Sequence, residues 1–319
     1  MNMPLRALGA SGLTVSRLAL GSWRTFERIS REQGAAVMHA AREVGITFLD
    51  DARYDDETGA APIPTGYSEV VFGELFRAAG WQRDEVVVAN KLWWEFWPGQ
   101  SAAAELDASL QRMQLDHVDL IYAEAPPEGL EIADAIGQIA ELIAAGKARA
   151  WGVLNWTAEQ VLEAAQIADM GTLPGPAAIQ LPYSLVRRDV VEDDHLVRSL
   201  AAANTAVVAS YALAGGLLTG KYEDGDGDGR HSGDVSDPRF ADARAVGRAL
   251  AALAADLNTG AATLALAYPL LNPAVASLLF GATRPEQVRA NVAALDLAET
   301  LDEASVERLR AIATPAAAA

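Results

Sequence analysis

Among the 319 residues, those best suited to move a proton are an acid, a lysine and a tyrosine placed where short apolar runs end. Asp50 closes the run 46–50 and Lys91 closes the run 85–91, while Tyr54 and Tyr67 follow Asp50 in the next segment. Desolvation lowers a lysine pKa, a carboxylate beside it opposes that shift, and a nearby ammonium favours phenolate in a tyrosine. Such a trio can be poised for general acid–base work. The same two charges also suit a plain ion pair closing one end of a fold, and residue type and spacing favour neither reading. Other run ends carry Ser22, Glu124, Asn155, Gln180, Ser210 and Thr283. If the runs are strands of one barrel, all these side chains gather at its C-terminal mouth, where such folds place their sites.

The elements that would position them are legible as an alternation. β-rich runs occur at 16–22, 46–50, 85–91, 118–123, 148–155, 178–181, 206–210 and 276–280. Most are continuously apolar, as in parallel strands buried on both faces. Between them, segments 30–44, 101–113, 133–145, 157–168 and 191–203 have helical spacing. Their starts carry capping residues: Ser30 with Gln33, Ser101 with Glu105, Thr157 with Gln160. A strand recurs about every 30 residues, the length of one β-plus-α unit. The pattern predicts a (β/α)8 TIM barrel over residues 1–319 as one domain, with a doubly wound sheet as the other arrangement. Residues 3–15, with Gly9, Ser11 and Gly12 between apolar positions, read as an N-terminal β-hairpin. The stretch 215–253 is glycine-rich and acidic and reads as a long loop over the mouth.

Composition removes several function classes. Forty-three acids against 25 bases give a net charge of −18, which repels phosphate backbones and anionic lipid. Nucleic-acid and membrane partners are therefore not expected. The chain has no cysteine, which excludes disulfides, zinc–thiolate sites, iron–sulfur clusters and a cysteine nucleophile. His39, His117, His195 and His231 lack ligand spacing, so no metal site is expected. Residues 224–229, Asp-Gly three times over, imitate half of a calcium loop, but Val235 stands where the bidentate Glu is needed. No Gly-x-Gly-x-x-Gly follows a strand. The opening residues lack the apolar core of a leader, and no uncharged apolar stretch is long enough to span a bilayer. The expectation is a soluble, cytoplasmic protein. Trp93, Trp94 and Trp97 crowd behind Lys91, equally suited to packing the barrel top and to lining an apolar pocket.

Several motifs, in order along nearly the whole chain, resemble the aldo-keto reductases, most closely the branch of potassium-channel β-subunits and their bacterial relatives. Arg6-Ala7-Leu8-Gly9 with Gly12-Leu13-Thr14-Val15-Ser16 is similar to that family's opening hairpin. Leu20-Gly21-Ser22-Trp23 and Gly45-Ile46-Thr47-Phe48-Leu49-Asp50 resemble its first two barrel strands. Ser68-Glu69 with Gly73, the run Leu110–Leu120, Gly216–Tyr222 and Gly281–Gln287 with Asn291 complete the set.

The resemblance implies a catalytic tetrad of Asp, Tyr, Lys and His. Asp50 and Lys91 take two of the places. Tyr54 stands one residue earlier than the family spacing, with Tyr67 beyond an insertion as the other candidate, and Glu124 occupies the position of the His. The resemblance further implies NADPH lying across the mouth. Asp50, Ser22 and Trp23 would lie beside it, and Asn155 and Gln180 would hold its carboxamide. Ser210 or Tyr211 would lie against its ring, and Lys221, Gly281, Thr283, Arg284, Gln287 and Asn291 would hold its adenosine end. Leu154 and Ala290 depart from the residues common at their positions. Trp23, Tyr54, Trp93 and Trp94 would shape an apolar pocket. The implied reaction is hydride transfer to the carbonyl of a small or moderately large apolar aldehyde or ketone. Two alternatives stay open: reduction of an enone carbon–carbon bond assisted by Glu124, and a nucleotide-sensing subunit with little turnover.

Overall fold

A computed structural model describes residues 3–222 and 236–313. Eight parallel strands close on themselves: β3 (Leu18–Gly21), β4 (Phe48–Asp50), β5 (Val87–Leu92), β6 (Leu120–Glu124), β7 (Ala150–Leu154), β8 (Ala178–Pro182), β9 (Ala206–Ser210) and β10 (Val275–Phe280). β10 pairs with both β9 and β3, which removes every free edge. Helices α1 (Arg31–Glu43), α2 (Tyr67–Ala78), α3 (Ala102–Met113), α4 (Ile132–Ala144), α5 (Ala158–Gly171) and α6 (Asp194–Ala203) alternate with these strands. After β9 come α7 (Ala241–Asp256) and α8 (Ala261–Leu270), and after β10 α9 (Pro285–Asn291), α10 (Ala293–Thr300) and α11 (Glu303–Ala311). The barrel is the expected (β/α)8 TIM barrel. The expected hairpin precedes it as β1 (Leu5–Ala7) and β2 (Thr14–Ser16), paired antiparallel. Gly9 sits in its turn at φ 52°, where a Cβ would come within 2.3 Å of the Ala177 carbonyl oxygen, so no larger residue fits.

Side-chain alternation divides the apolar residues into two cores. Ala19, Phe48, Ala89, Leu120, Tyr122, Ala150, Ala178 and Val208 fill the barrel, and Leu8, Leu13 and Val15 of the hairpin join them. Leu20, Leu49, Val88, Ile121, Val153 and Ile179 face outward and pack under the helices. This parity fixes the site: continued by two residues, the inward series reaches Asp50, Lys91, Gln180 and Ser210, and the outward series reaches Ser22, Asp51 and Asn90.

Three local expectations change. The run 16–22 divides at Arg17, whose guanidinium donates to the carbonyls of Leu270, at 2.7 Å, and Val275. Ser16 therefore belongs to the hairpin and Leu18 begins the barrel. The stretch 215–253 is not a continuous loop, because its Ala/Leu/Arg-rich second half forms α7 and buries Gly247, Leu250 and Leu253. The calcium-loop imitation at 224–229, with Arg230, His231 and Val235, lies outside the described residues. Finally, Ser101 caps the Ala104 N–H, but Glu105 does not complete a box with it. Its buried carboxylate instead accepts the backbone N–H groups of Trp93 (2.8 Å) and Trp94 (3.2 Å). Thr157 and Gln160 do form the reciprocal box. No single helix among the described residues is long and apolar enough to cross a membrane.

Candidate active site

Asp50, the last residue of β4, is level with Ala89 on β5. Lys91 lies two residues beyond, level with Tyr122 on β6. Both side chains point inward and are almost fully buried. Lys91 Nζ donates to Asp50 Oδ1 at 2.7 Å and to the Tyr54 hydroxyl at 3.1 Å, with the Asp51 carbonyl oxygen at 3.5 Å. Gln180 Nε2 donates to the other Asp50 oxygen at 2.9 Å. Every polar atom of the Asp50 carboxylate thus has a partner, as a buried charge requires. Desolvation alone would lower the Lys91 pKa, but Asp50 and then Tyr54 more than offset it, and the ammonium is held above its ordinary range. The Tyr54 phenol is pushed up, chiefly by desolvation, against which Lys91 works in part. Tyr54 is therefore protonated at neutral pH, the form a proton donor needs.

The early arrival of Tyr54 is absorbed locally. The insertion behind it is pinched into a narrow loop by an Asp55–Thr65 bridge, by the Gly66 N–H on the Tyr54 carbonyl (2.8 Å) and by the Asp56 N–H on Pro64 (2.8 Å). Glu57 at its tip pairs with Arg28 at 3.0 Å and with Arg24. Tyr67 is carried away from Lys91 to the first turn of α2, where its hydroxyl accepts from Arg31 at 2.8 Å.

Glu124 ends β6 half-buried. Its carboxylate accepts from Asn155 Nδ2 at 3.0 and 3.2 Å, and its backbone carbonyl from the Trp94 indole at 3.0 Å. Desolvation pushes the Glu124 pKa up, and the bonds from Asn155 and the Ala125 N–H oppose this. The tryptophans divide accordingly. Trp94 is buried and struts β6, whereas the Trp93 ring lies 6.2 Å from Tyr54, with Trp23 at 6.4 Å on the other side and 40% exposed.

The remaining expected residues surround this centre. Asn155 follows β7 in the left-handed region at φ 60°, and Tyr211 follows Ser210 and β9 at φ 56°. Lys221 is exposed, with Nζ 4.9 Å from the Tyr222 ring centre. Beyond β10, a Cβ on Gly281 would lie 2.8 Å from Thr25 Oγ1, so glycine lets the turn after β3 pack closely. Gln287 accepts the N–H groups of Thr283 (2.8 Å) and Arg284 (3.1 Å) and fixes that loop, leaving the Arg284 side chain exposed. Asn291 is buried at the far end of α9, about two turns away.

These donors fit a dinucleotide. Asn155 and Gln180 each commit an NH2 group to a carboxylate, so what they present to a carboxamide is a carbonyl oxygen. The exposed cations Lys221 and Arg284 suit a phosphate on an otherwise acidic chain. Ser22 is different: its hydroxyl faces outward and donates to Asp51 Oδ1, so only its backbone borders the mouth.

Sequence reasoning missed the polar layer behind the centre. Asp51 is fully buried, with Ser22 on Oδ1 and no partner for Oδ2 among the described residues. Glu69, on α2 and fully buried, accepts from Asn90 Nδ2 at 2.9 Å and from Arg112 Nε at 2.5 Å. The signal was present, because Asp51 adjoins Asp50 and strand parity sends it outward.

The aldo/keto reductase family model matches residues 17–314, spanning every barrel strand and the whole centre just described. The chain belongs to the aldo/keto reductase family. Its relatives include a "probable voltage-gated potassium channel subunit beta" from Oryza sativa subsp. japonica, 30% identical over 97% of this chain and 96% of that protein. A protein of the same name from Arabidopsis thaliana is 29% identical over the same shares. A "putative voltage-gated potassium channel subunit beta" from Schizosaccharomyces pombe is 31% identical over 94% of this chain and 90% of its own length. Within this aldo/keto reductase, burial raises the pKa of Glu124 and Asp51 beside the Asp50–Lys91–Tyr54 centre, as it does that of Glu105 behind Trp93 and Trp94.

Proposed function

We propose that this aldo/keto reductase is a cytoplasmic, NADPH-dependent oxidoreductase that reduces the carbonyl of an apolar aldehyde or ketone. The observation that carries the reading is the Tyr54 hydroxyl 3.1 Å from a Lys91 ammonium that is itself 2.7 Å from Asp50. A bound reduced nicotinamide would supply the hydride. Asn155 and Gln180 would hold its carboxamide, Trp23, Ser210 and Tyr211 would flank it, and Lys221, Thr283 and Arg284 would hold the phosphate-bearing end. Gln287 would act by fixing the Thr283–Arg284 backbone. Tyr54 donates its proton to the substrate oxygen as negative charge grows there, and Lys91 stabilises the phenolate that results. Asp50 keeps Lys91 charged and in place. Trp23 and Trp93 exclude water from the acceptor carbon and favour apolar substrates. The test is NADPH oxidation against a panel of aldehydes, ketones and enones. Turnover on carbonyls supports the reading. A tight NADPH complex with no turnover on any of them would instead favour a nucleotide-sensing subunit, in line with the names its relatives carry.

Glu124 favours a second reading. A carboxyl whose pKa is raised by burial can donate a second hydrogen bond to an enone oxygen, and so stabilise enolate character as the alkene is reduced. Glu124→His, assayed on a substrate with both groups, tests it. A shift from alkene reduction to alcohol product supports the role, and an unchanged ratio removes Glu124 from the mechanism.

A further inference from the structure

Asp51 is a carboxyl for which the mechanism has no use, yet it lies directly behind the centre. Its N–H pairs with the Ala89 carbonyl at 3.1 Å and its own carbonyl faces Lys91 Nζ at 3.5 Å. Its side chain is wholly buried on the outer face of β4, with Oδ1 taking the Ser22 hydroxyl and Oδ2 unpartnered among the described residues. An acceptor oxygen buried without a donor is costly, whereas a protonated oxygen in a pocket shared with a second acid is the less costly form. The groups that act on it are Glu69 from α2, itself held by Arg112 of α3, and Lys91 from β5. Ser22 opens the turn that carries Trp23: the Ser22 carbonyl accepts the Thr25 N–H at 2.9 Å, and Trp23 lies against Tyr54. Ser22 is thus laced twice to the end of β4, by its N–H on the Asp50 carbonyl at 3.0 Å and by its hydroxyl on Asp51.

We propose that Asp51 is a positioning residue, an uncharged carboxyl that anchors the Ser22–Trp23 turn over Tyr54 without placing a second negative charge behind Lys91. The proposal rests on the oxidoreductase reading above. Burial first, and Glu69 second, hold the Asp51 pKa well above the ordinary carboxylate range, while Ser22, the Ala52 N–H and Lys91 oppose this. The folded state therefore holds a proton that the unfolded chain releases near pH 4. Stability is full below that pH and falls as pH rises toward the folded pKa. Ionisation would also strengthen the negative field on Tyr54 and make it a poorer acid, so reduction should weaken on the alkaline side.

The test compares the full-length protein with Asp51→Asn, which keeps the acceptor and the size but cannot ionise, and with Ser22→Ala, which removes the donor. Melting temperature is followed from pH 5 to 9, and kcat/KM with NADPH over the same range. In Asp51→Asn the decline of Tm with pH should flatten, giving about 2 °C or more in its favour at the alkaline end relative to the acid end. Its alkaline limb of kcat/KM should move up by about one pH unit or more. Ser22→Ala removes a bond that lowers the Asp51 pKa, so it should retain the decline of Tm and carry it to higher pH, and it should lose kcat/KM by about tenfold through the loosened turn. An unchanged Tm slope in Asp51→Asn, or a changed slope with an unchanged kcat/KM profile, overturns the proposal, as does full activity in Ser22→Ala. If the wild type turns over nothing, the oxidoreductase reading fails on its own. The Tm comparison and the pH dependence of NADPH-induced tryptophan quenching, which Asp51→Asn should flatten, then decide the role of Asp51.

Discussion

The inner and outer faces of β4 and β5 solve one problem in two ways. On the inner face Asp50 meets Lys91 at 2.7 Å, and Gln180 takes its second oxygen, so a buried charge is matched by charge and hydrogen bonds together. One residue along and on the outer face, Asp51 has a serine, an acidic neighbour in Glu69 and one oxygen without a partner among the described residues, and burial with Glu69 raises its pKa. Glu69 beside it has Arg112 and Asn90. Identical side chains at adjacent positions thus differ because strand parity gives them different neighbours. The inner face sets the Lys91 ammonium against the Tyr54 hydroxyl, while the outer face ties the Ser22 turn to the Asp51 carboxyl.

The contrast breaks most severely at Lys91. Lys91→Met should abolish turnover and cost about 3–5 kcal/mol in denaturant unfolding, because Asp50 stays buried without its counter-charge. A variant as stable as the wild type would mean that the inner pair is not what holds that charge. Tyr54→Phe should lower turnover by about 10²–10⁴-fold with NADPH affinity and Tm nearly intact. Tyr67→Phe should keep turnover, since its hydroxyl belongs to Arg31, and a reversal between these two tyrosines would move the acid to the insertion's far end. On the outer face, Arg112→Gln should cost roughly 1–3 kcal/mol by stripping a charge-assisted bond from Glu69, with turnover per folded molecule unchanged. Loss of turnover in the folded variant would show that the two faces are one catalytic unit. The smallest effect lies outside both faces: NADPH should bind about tenfold tighter than NADH, and Arg284→Ala should remove most of that difference. Equal dissociation constants in the wild type would take the cations of the rim out of cofactor choice.

Much of this protein is determined by local pattern. The apolar runs and helical segments recur at one β-plus-α length, and because parallel strands are buried on both faces, each run shows without knowledge of its neighbours. The strand 206–210 has the same bounds in sequence and structure, Asp50 ends its strand in both, and Lys91 stands one residue before the end of β5. Of the three places where the pattern misled, α7 was a local helix read as loop, and in the other two a contact from outside the segment intervened. Arg17 interrupts a uniform run because it reaches the Leu270 and Val275 carbonyls, and Glu105 leaves its cap to serve the backbone of Trp93 and Trp94. Neither partner is near in sequence, so propensity could not announce them.

The choice between Tyr54 and Tyr67 as the neighbour of Lys91 was likewise beyond the sequence, since both follow Asp50 and a loop insertion can be absorbed on either side. Closure of the 55–66 segment by the Asp55–Thr65 bridge decided it. The partners of Glu124 and the isolation of Asp51 belong to the same class. The sequence determines which residue types reach the mouth, because strand period and unit length are properties of the chain. Which carboxyl meets an ammonium, an amide or another acid depends on barrel register and on helices α2 and α3 folding back across the sheet. Only the tertiary structure brings those charges close enough in a low-dielectric interior for one ångström to decide whether a carboxyl is charged or neutral.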